Sequence, residues 1–228
     1  MANITKLLKK LKRQALAKRH TRYRLIAGSV VVLLALVGMV AFMATRDNDD
    51  VKVSKNPVVQ EYQQQLPALK KKASDNAKNP SAHIDYAVAL YATGNIKQAK
   101  QEYEKATKLD SKNATVFNNL GNAYRDLGDT DKAIETYEQA IALNPKLINP
   151  YFNLANIQLY SQKDADAAIK TYQKALTALP DNEQVLLSLG IAYEQKNDKT
   201  KAKQVYLSIL AKDADNAAAK ANLDRLNK

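Results

Sequence analysis

Residues 117–145 read FNNLGNAYRDLGDTDKAIETYEQAIALNP. Phe117, Leu120, Gly121 and Tyr124 recur at helical spacing, and beyond the Gly128-Asp129 turn Ala133, Tyr137 and Ala140 do the same before Pro145 closes the stretch. The pattern is two amphipathic helices joined by a short turn. One such hairpin leaves an apolar face uncovered, so similar units are expected on both sides of it at a fixed period.

The period is there. Tyr86, Leu120, Leu154 and Leu189 lie 34, 34 and 35 residues apart, and Ala99, Ala133, Ala168 and Ala202 lie 34, 35 and 34 apart. Four residues after each alanine stands a tyrosine: Tyr103, Tyr137, Tyr172 and Tyr206. The small residues let paired helices approach, and the tyrosines are expected to fill the space between hairpins. The one extra residue falls between Leu154 and Ala168 and is assigned to the SQKDADA turn, because loops tolerate insertion. This divides the array into units 80–113, 114–147, 148–182 and 183–216. The first unit departs most, with His83, Ala87 and Ser111 at the places of Phe117, Gly121 and Pro145, and the fourth departs at Ile209 and Ala214. Residues 217–228 read as a capping helix, with Leu223 and Leu226 inward and Lys220, Asp224 and Arg225 toward water. Residues 57–79 read as a lead-in helix, capped by Asn56, started by Pro57 and expected to kink at Pro67. The fold class is therefore all-α, a solenoid of about four helical hairpins plus the capping helix, preceded by one membrane-spanning helix.

Phe117-x2-Leu120-Gly121-x2-Tyr124, Ala133-x3-Tyr137, Ala140 and Pro145 resemble the 34-residue tetratricopeptide-repeat signature, and the resemblance covers about residues 80–216. It implies that the first helix of each unit lines a concave groove for a peptide or a partner helix. By position that groove presents Asp85 and Val88, then Asn118, Asn119, Asn122 and Arg125, then Phe152, Asn153 and Asn156, then Leu187, Ser188 and Ile191. Asn118, Asn119, Asn122, Arg125, Asn153 and Asn156 are the candidate partner-binding residues. An amide both donates and accepts, so a row of them can pair with the backbone of an extended peptide, and Arg125 favours an acidic group. The clamp by which some family members hold a terminal carboxylate is matched only at Asn122 and Asn153. Asn118, Gln184 and Ser188 stand where it has basic side chains.

The net charge of +12 is uneven, with nine basic residues and no acid in residues 1–24. A surplus confined to one end argues against nucleic acid as partner. Ile4, Leu7, Leu8, Leu11 and Ala15 share a helical face, with Lys6, Lys9, Lys10, Lys12 and Arg13 on the remaining arc, which suits the headgroup plane of a lipid bilayer. Residues 25–44, LIAGSVVVLLALVGMVAFMA, hold no charge and are long enough to span a membrane. A cleaved signal peptide is the competing reading, disfavoured by the length of the apolar run and by Phe42 at the obvious cleavage site. Basic residues before the run and Asp47, Asp49 and Asp50 after it place the amino terminus in the cytoplasm and the repeats outside, beyond a linker at 45–56. The expected location is a bacterial cytoplasmic membrane.

No catalytic, cofactor or metal site is expected. There is no cysteine, and the two histidines, His20 and His83, fall on opposite sides of the expected span. The six glycines all have structural places, so no phosphate-cradling loop remains. Asn113-Ala114-Thr115 matches a glycosylation sequon by pattern alone. The expected function is a membrane-anchored, non-catalytic scaffold that binds a protein or extended peptide outside the cytoplasm in envelope assembly, secretion or appendage biogenesis. The alternative is a lipid-surface or membrane-organising protein working through its basic amino-terminal helix, with the repeats serving to form an oligomer.

Overall fold

A computed structural model describes residues 56–227. The readings of residues 1–24 and 25–44, with the basic set Lys6, Lys9, Lys10, Lys12 and Arg13, lie outside the described residues, as does nearly all of the linker. Among the described residues no helix is long and apolar enough to cross a membrane.

The described residues form ten α-helices and no strand. They are α1 (Pro57–Asp75), α2 (Pro80–Ala92), α3 (Ile96–Leu109), α4 (Ala114–Asp126), α5 (Thr130–Leu143), α6 (Asn149–Asn156, continued by a π-helical turn at Ile157–Ser161), α7 (Ala165–Ala178), α8 (Glu183–Gln195), α9 (Lys199–Lys212) and α10 (Ala217–Leu226). Each packs on the next, and α4 also touches α6, so the described residues form a helical solenoid. Asparagine starts most of the even-numbered helices of this series. The Asn79, Asn113, Asn182 and Asn216 side chains accept hydrogen bonds from the backbone N–H groups of Ser81, Val116, Val185 and Ala219, satisfying donors that a helix start leaves open. Asn113 of the sequon is thus used as a cap. Helix α1 is capped in the same way by Asn56 and runs through Pro67 as one helix.

Every hairpin turns through a left-handed residue at the same place: Gly94 (φ 82°), Gly128 (81°), Lys163 (56°) and Asn197 (62°). Glycine suits this conformation at no steric cost and asparagine tolerates it, whereas lysine does not.

The alanines carry the close helix contacts. Ala99, Ala133, Ala168 and Ala202 are all fully buried. The tyrosines behave less uniformly than expected. Tyr137 and Tyr206 lie within their own hairpins, their rings so close to Gly121 and Gly190 that an added Cβ would stand 2.6 and 2.3 Å from a ring carbon. Units one and three have Ala87 and Ala155 at that place, and the hydroxyls of Tyr103 and Tyr172 sit beside Asn119 and Ser188 of the following unit.

The extra residue of the third unit also lies elsewhere than expected. Helix α6 absorbs it before the loop begins, widening one turn so that the Gln162 N–H bonds to Ile157 O at 3.0 Å and the Asp164 N–H to Gln158 O at 2.7 Å. A π turn takes in one residue without breaking the helix, so Leu154 and Ala168 keep their places on either side. Thr171 of α7 donates to Gln158 at 2.8 Å and ties the turn down.

His83, which replaces the first-helix aromatic, is buried. Its Nδ1 lies 2.6 Å from Glu102 Oε2 and its Nε2 3.1 Å from Ala77 O, joining the α1–α2 connection to α3. Lys105 donates to the other Glu102 oxygen at 2.7 Å. Burial pushes the Glu102 carboxyl up, but the hydrogen bonds from Lys105 and His83 outweigh it and hold the group below its ordinary value.

The concave groove as candidate functional site

The first helices carry the residues expected to line the groove, and α4 touches α6 where the candidate asparagines meet. There Asn153 Nδ2 donates to Asn118 Oδ1 at 3.0 Å and to Asn122 Oδ1 at 2.9 Å. Tyr137 donates to the same Asn122 oxygen at 2.7 Å, and Asn118 Nδ2 donates to Asn119 Oδ1 at 3.3 Å. Burial pushes the Tyr137 phenol up, against the lowering effect of Arg125, so Tyr137 stays a neutral donor.

This network sorts the candidate asparagines. Asn118 is only 5% exposed, and both ends of its amide are bonded inside the protein, so it belongs to the seam between units and is not displayed in the groove. Asn119 is half-buried, accepting from Asn118 with the Tyr103 hydroxyl beside it. Asn122 and Asn153 are also half-buried, but each keeps one open end. Among the described residues Asn122 Nδ2 and Asn153 Oδ1 have no hydrogen-bond partner, and neither is sealed from solvent. Asn156 is exposed, and Phe152 packs its ring on Tyr172 with centroids 5.8 Å apart.

A second row was not legible from the signature. Three residues before each left-handed turn residue stand Tyr91, Arg125, Tyr160 and Glu194, one per unit. Tyr91 donates to Asp126 Oδ2 across the first two units. Arg125 bonds Asp126 Oδ1 through Nε at 2.9 Å and pairs with it through Nη2 at 2.8 Å, leaving Nη1 without a partner among the described residues. Burial works against the Arg125 charge, but Tyr137 and Asp126 beside it hold its pKa up, so it stays a cation. Tyr160, carried by the π turn, is 62% exposed. Glu194 is held by Arg225 of α10 in a two-pronged pair at 2.6 and 3.0 Å and accepts from Tyr206 at 2.5 Å. Counting back from the turns would have found this row, whereas counting forward from Leu154 misses it by the inserted residue.

The acids bordering the groove are thus already engaged. Asp85 accepts from Lys72 at 2.8 Å, Asp126 from Arg125 and Tyr91, and Glu194 from Arg225 and Tyr206. Among the described residues no group of three or more histidine, cysteine or acidic side chains is gathered to hold a metal ion.

Family models agree with this geometry. A model described as TPR repeat matches residues 87–124 and 121–159, and a second, described as Tetratricopeptide repeat, matches 159–226. The chain belongs to the tetratricopeptide-repeat family. Over 162 residues this tetratricopeptide-repeat chain is 29% identical to Protein O-mannosyl-transferase TMTC3 of Homo sapiens, a match covering 65% of this chain but 18% of that protein, so under a fifth of the relative is represented. The crystal structure of MamA is similar with a TM-score of 0.60 at 25% identity, over 69% of this chain and 85% of that one. YrrB, described as a TPR protein with an unusual peptide-binding site, shares the fold with a TM-score of 0.55 at 20% identity, over 71% and 82% of the two chains. Tetratricopeptide-repeat proteins bind protein or peptide partners.

Proposed function

We propose that this tetratricopeptide-repeat chain is a non-catalytic scaffold, anchored in a bacterial cytoplasmic membrane, whose groove binds an extended peptide segment of a protein partner outside the cytoplasm. The carrying observation is the pair of open amide ends. Asn122 Nδ2 is a donor and Asn153 Oδ1 an acceptor on adjacent, directly bonded side chains. One peptide unit offers the complement, a carbonyl for the first and an N–H for the second. The Tyr137 and Asn153 bonds hold the two amides before a ligand arrives, which lowers the entropy cost of binding.

The test is a photoreactive side chain placed at Asn156 in living cells, with and without Asn122→Ala and Asn153→Ala together. A crosslinked partner that disappears in the double variant is expected, and undiminished crosslinking would refute the amide pairing. The anchor and its orientation rest on the uncharged run at 25–44 and the charge bias around it. Single cysteines at Ala2 and Ser54 exposed to an impermeant thiol reagent check both, since labelling at Ala2 alone would reverse the orientation. A role in envelope assembly, secretion or appendage biogenesis goes with that location.

A further inference from the structure

One of the groove's unused hydrogen-bonding groups stands on a cation. Among the described residues Asn122 Nδ2 is open as a donor and Asn153 Oδ1 as an acceptor, the Tyr160 hydroxyl and the exposed Asn156 amide can each do both, and Arg125 Nη1 is open as a donor on a charged group. A peptide backbone supplies donors and acceptors in equal number, so backbone pairing answers the two asparagines and leaves Arg125 over. The neighbouring acids do not answer it either. Asp85 and Glu194 are paired with Lys72 and Arg225, and Asp126 takes only the Nε and Nη2 edge of the guanidinium. Arg125 is one turn along α4 from Asn122, so the two side chains share a face.

Resting on the peptide-groove reading, we propose that the partner segment carries an acidic side chain beside the peptide unit that pairs with Asn122 and Asn153, and that Arg125 Nη1 holds its carboxylate. Arg125 belongs to the second of four units, with Tyr91 before it and Tyr160 and Glu194 after it in the same row. The row thus continues on both sides of the guanidinium, which leaves room for a carboxylate carried within a sequence. The site differs from a terminal-carboxylate clamp, since it offers a single guanidinium whose Nη1 is open while Asp126 holds its other edge. With Nε and Nη2 held by Asp126, the planar guanidinium presents Nη1 in a fixed direction, which a lysine ammonium on its flexible stem would not do.

The test is selection of 12-residue random peptides, fused at their carboxyl ends to a carrier so that no free terminal carboxylate is present, on the full chain. The expected result is an enriched Asp or Glu at one fixed position. Binding of the selected peptide should fall roughly 10- to 100-fold in Arg125→Gln, the range expected for a hydrogen bond to a charged group. Arg125→Lys should keep the acidic preference at reduced affinity, and the Asn122→Ala Asn153→Ala variant should lose acidic and neutral peptides alike. Selected peptides without an acidic position, or full affinity in Arg125→Gln, would overturn the proposal and leave the amide pairing standing. Full affinity in the double asparagine variant, or a selection that enriches nothing, would overturn the groove reading and this proposal with it.

Discussion

Gly121→Ala puts the packing logic of the second unit to a quantitative test. The new Cβ would stand 2.6 Å from Tyr137 Cε1, 2.7 Å from Cδ1 and 3.1 Å from Cζ, whereas carbon atoms in contact prefer about 3.5–4.0 Å. Tyr137 is fully buried and must retreat by about 1 Å or turn away. Overpacking of this kind costs about 1–3 kcal/mol, and displacing the hydroxyl from Asn122 costs about 1 kcal/mol more. Against that, alanine in a helix interior gains about 1 kcal/mol over glycine. The balance is a loss of about 2 kcal/mol, which lowers the melting temperature of a domain this size by about 4–8 °C. Thermal unfolding followed by circular dichroism reads the shift. The second arm combines Gly121→Ala with Tyr137→Leu, where the ring is gone and the alanine should be neutral or favourable relative to Tyr137→Leu alone. A stabilising or neutral Gly121→Ala in the otherwise unchanged chain would refute the reasoning, as would an equal loss in both backgrounds.

Asn153→Ala should destabilise the chain by about 1–3 kcal/mol in urea unfolding, because it leaves the buried Asn118 oxygen without a donor, whereas Asn156→Ala should stay within about 0.5 kcal/mol. Lys163→Gly relieves a left-handed lysine, less some extra freedom in the unfolded chain, and should raise stability by about 0.5–1 kcal/mol, while Gly128→Lys lowers it. Glu102 is held below its ordinary 4.5, so its contribution is fully present above that pH and is lost as pH falls through the depressed value. Glu102→Gln should therefore remove part of the acid-side decline in melting temperature and leave its slope at neutral pH unchanged.

The 34-residue period was readable because every unit solves the same burial problem with the same small and aromatic residues. The place of the insertion was not. Sequence spacing fixes how many residues separate Leu154 from Ala168, but a loop and a widened helical turn have the same length, and only backbone hydrogen bonding separates them. The asparagine row was found by register, yet its division into seam and surface depends on which amide faces which, a property of two helices together. Asn118 and Asn122 look alike in sequence, and one is closed while the other is half open. The tyrosine behaviour did have a signal, since Ala87, Gly121, Ala155 and Gly190 alternate in size and the neighbours of the tyrosine hydroxyls alternate with them.

That alternation gives the array a parity. The junctions from unit one to two and from three to four have a tyrosine hydroxyl beside Asn119 and Ser188, and the junction from two to three is joined by the fork of Asn153 onto Asn118 and Asn122. Removing a single hairpin would bring together faces shaped for different neighbours. Removing or duplicating two in succession would preserve both kinds of junction, so the piece in which this solenoid can be shortened, lengthened or spliced to another is a pair of hairpins.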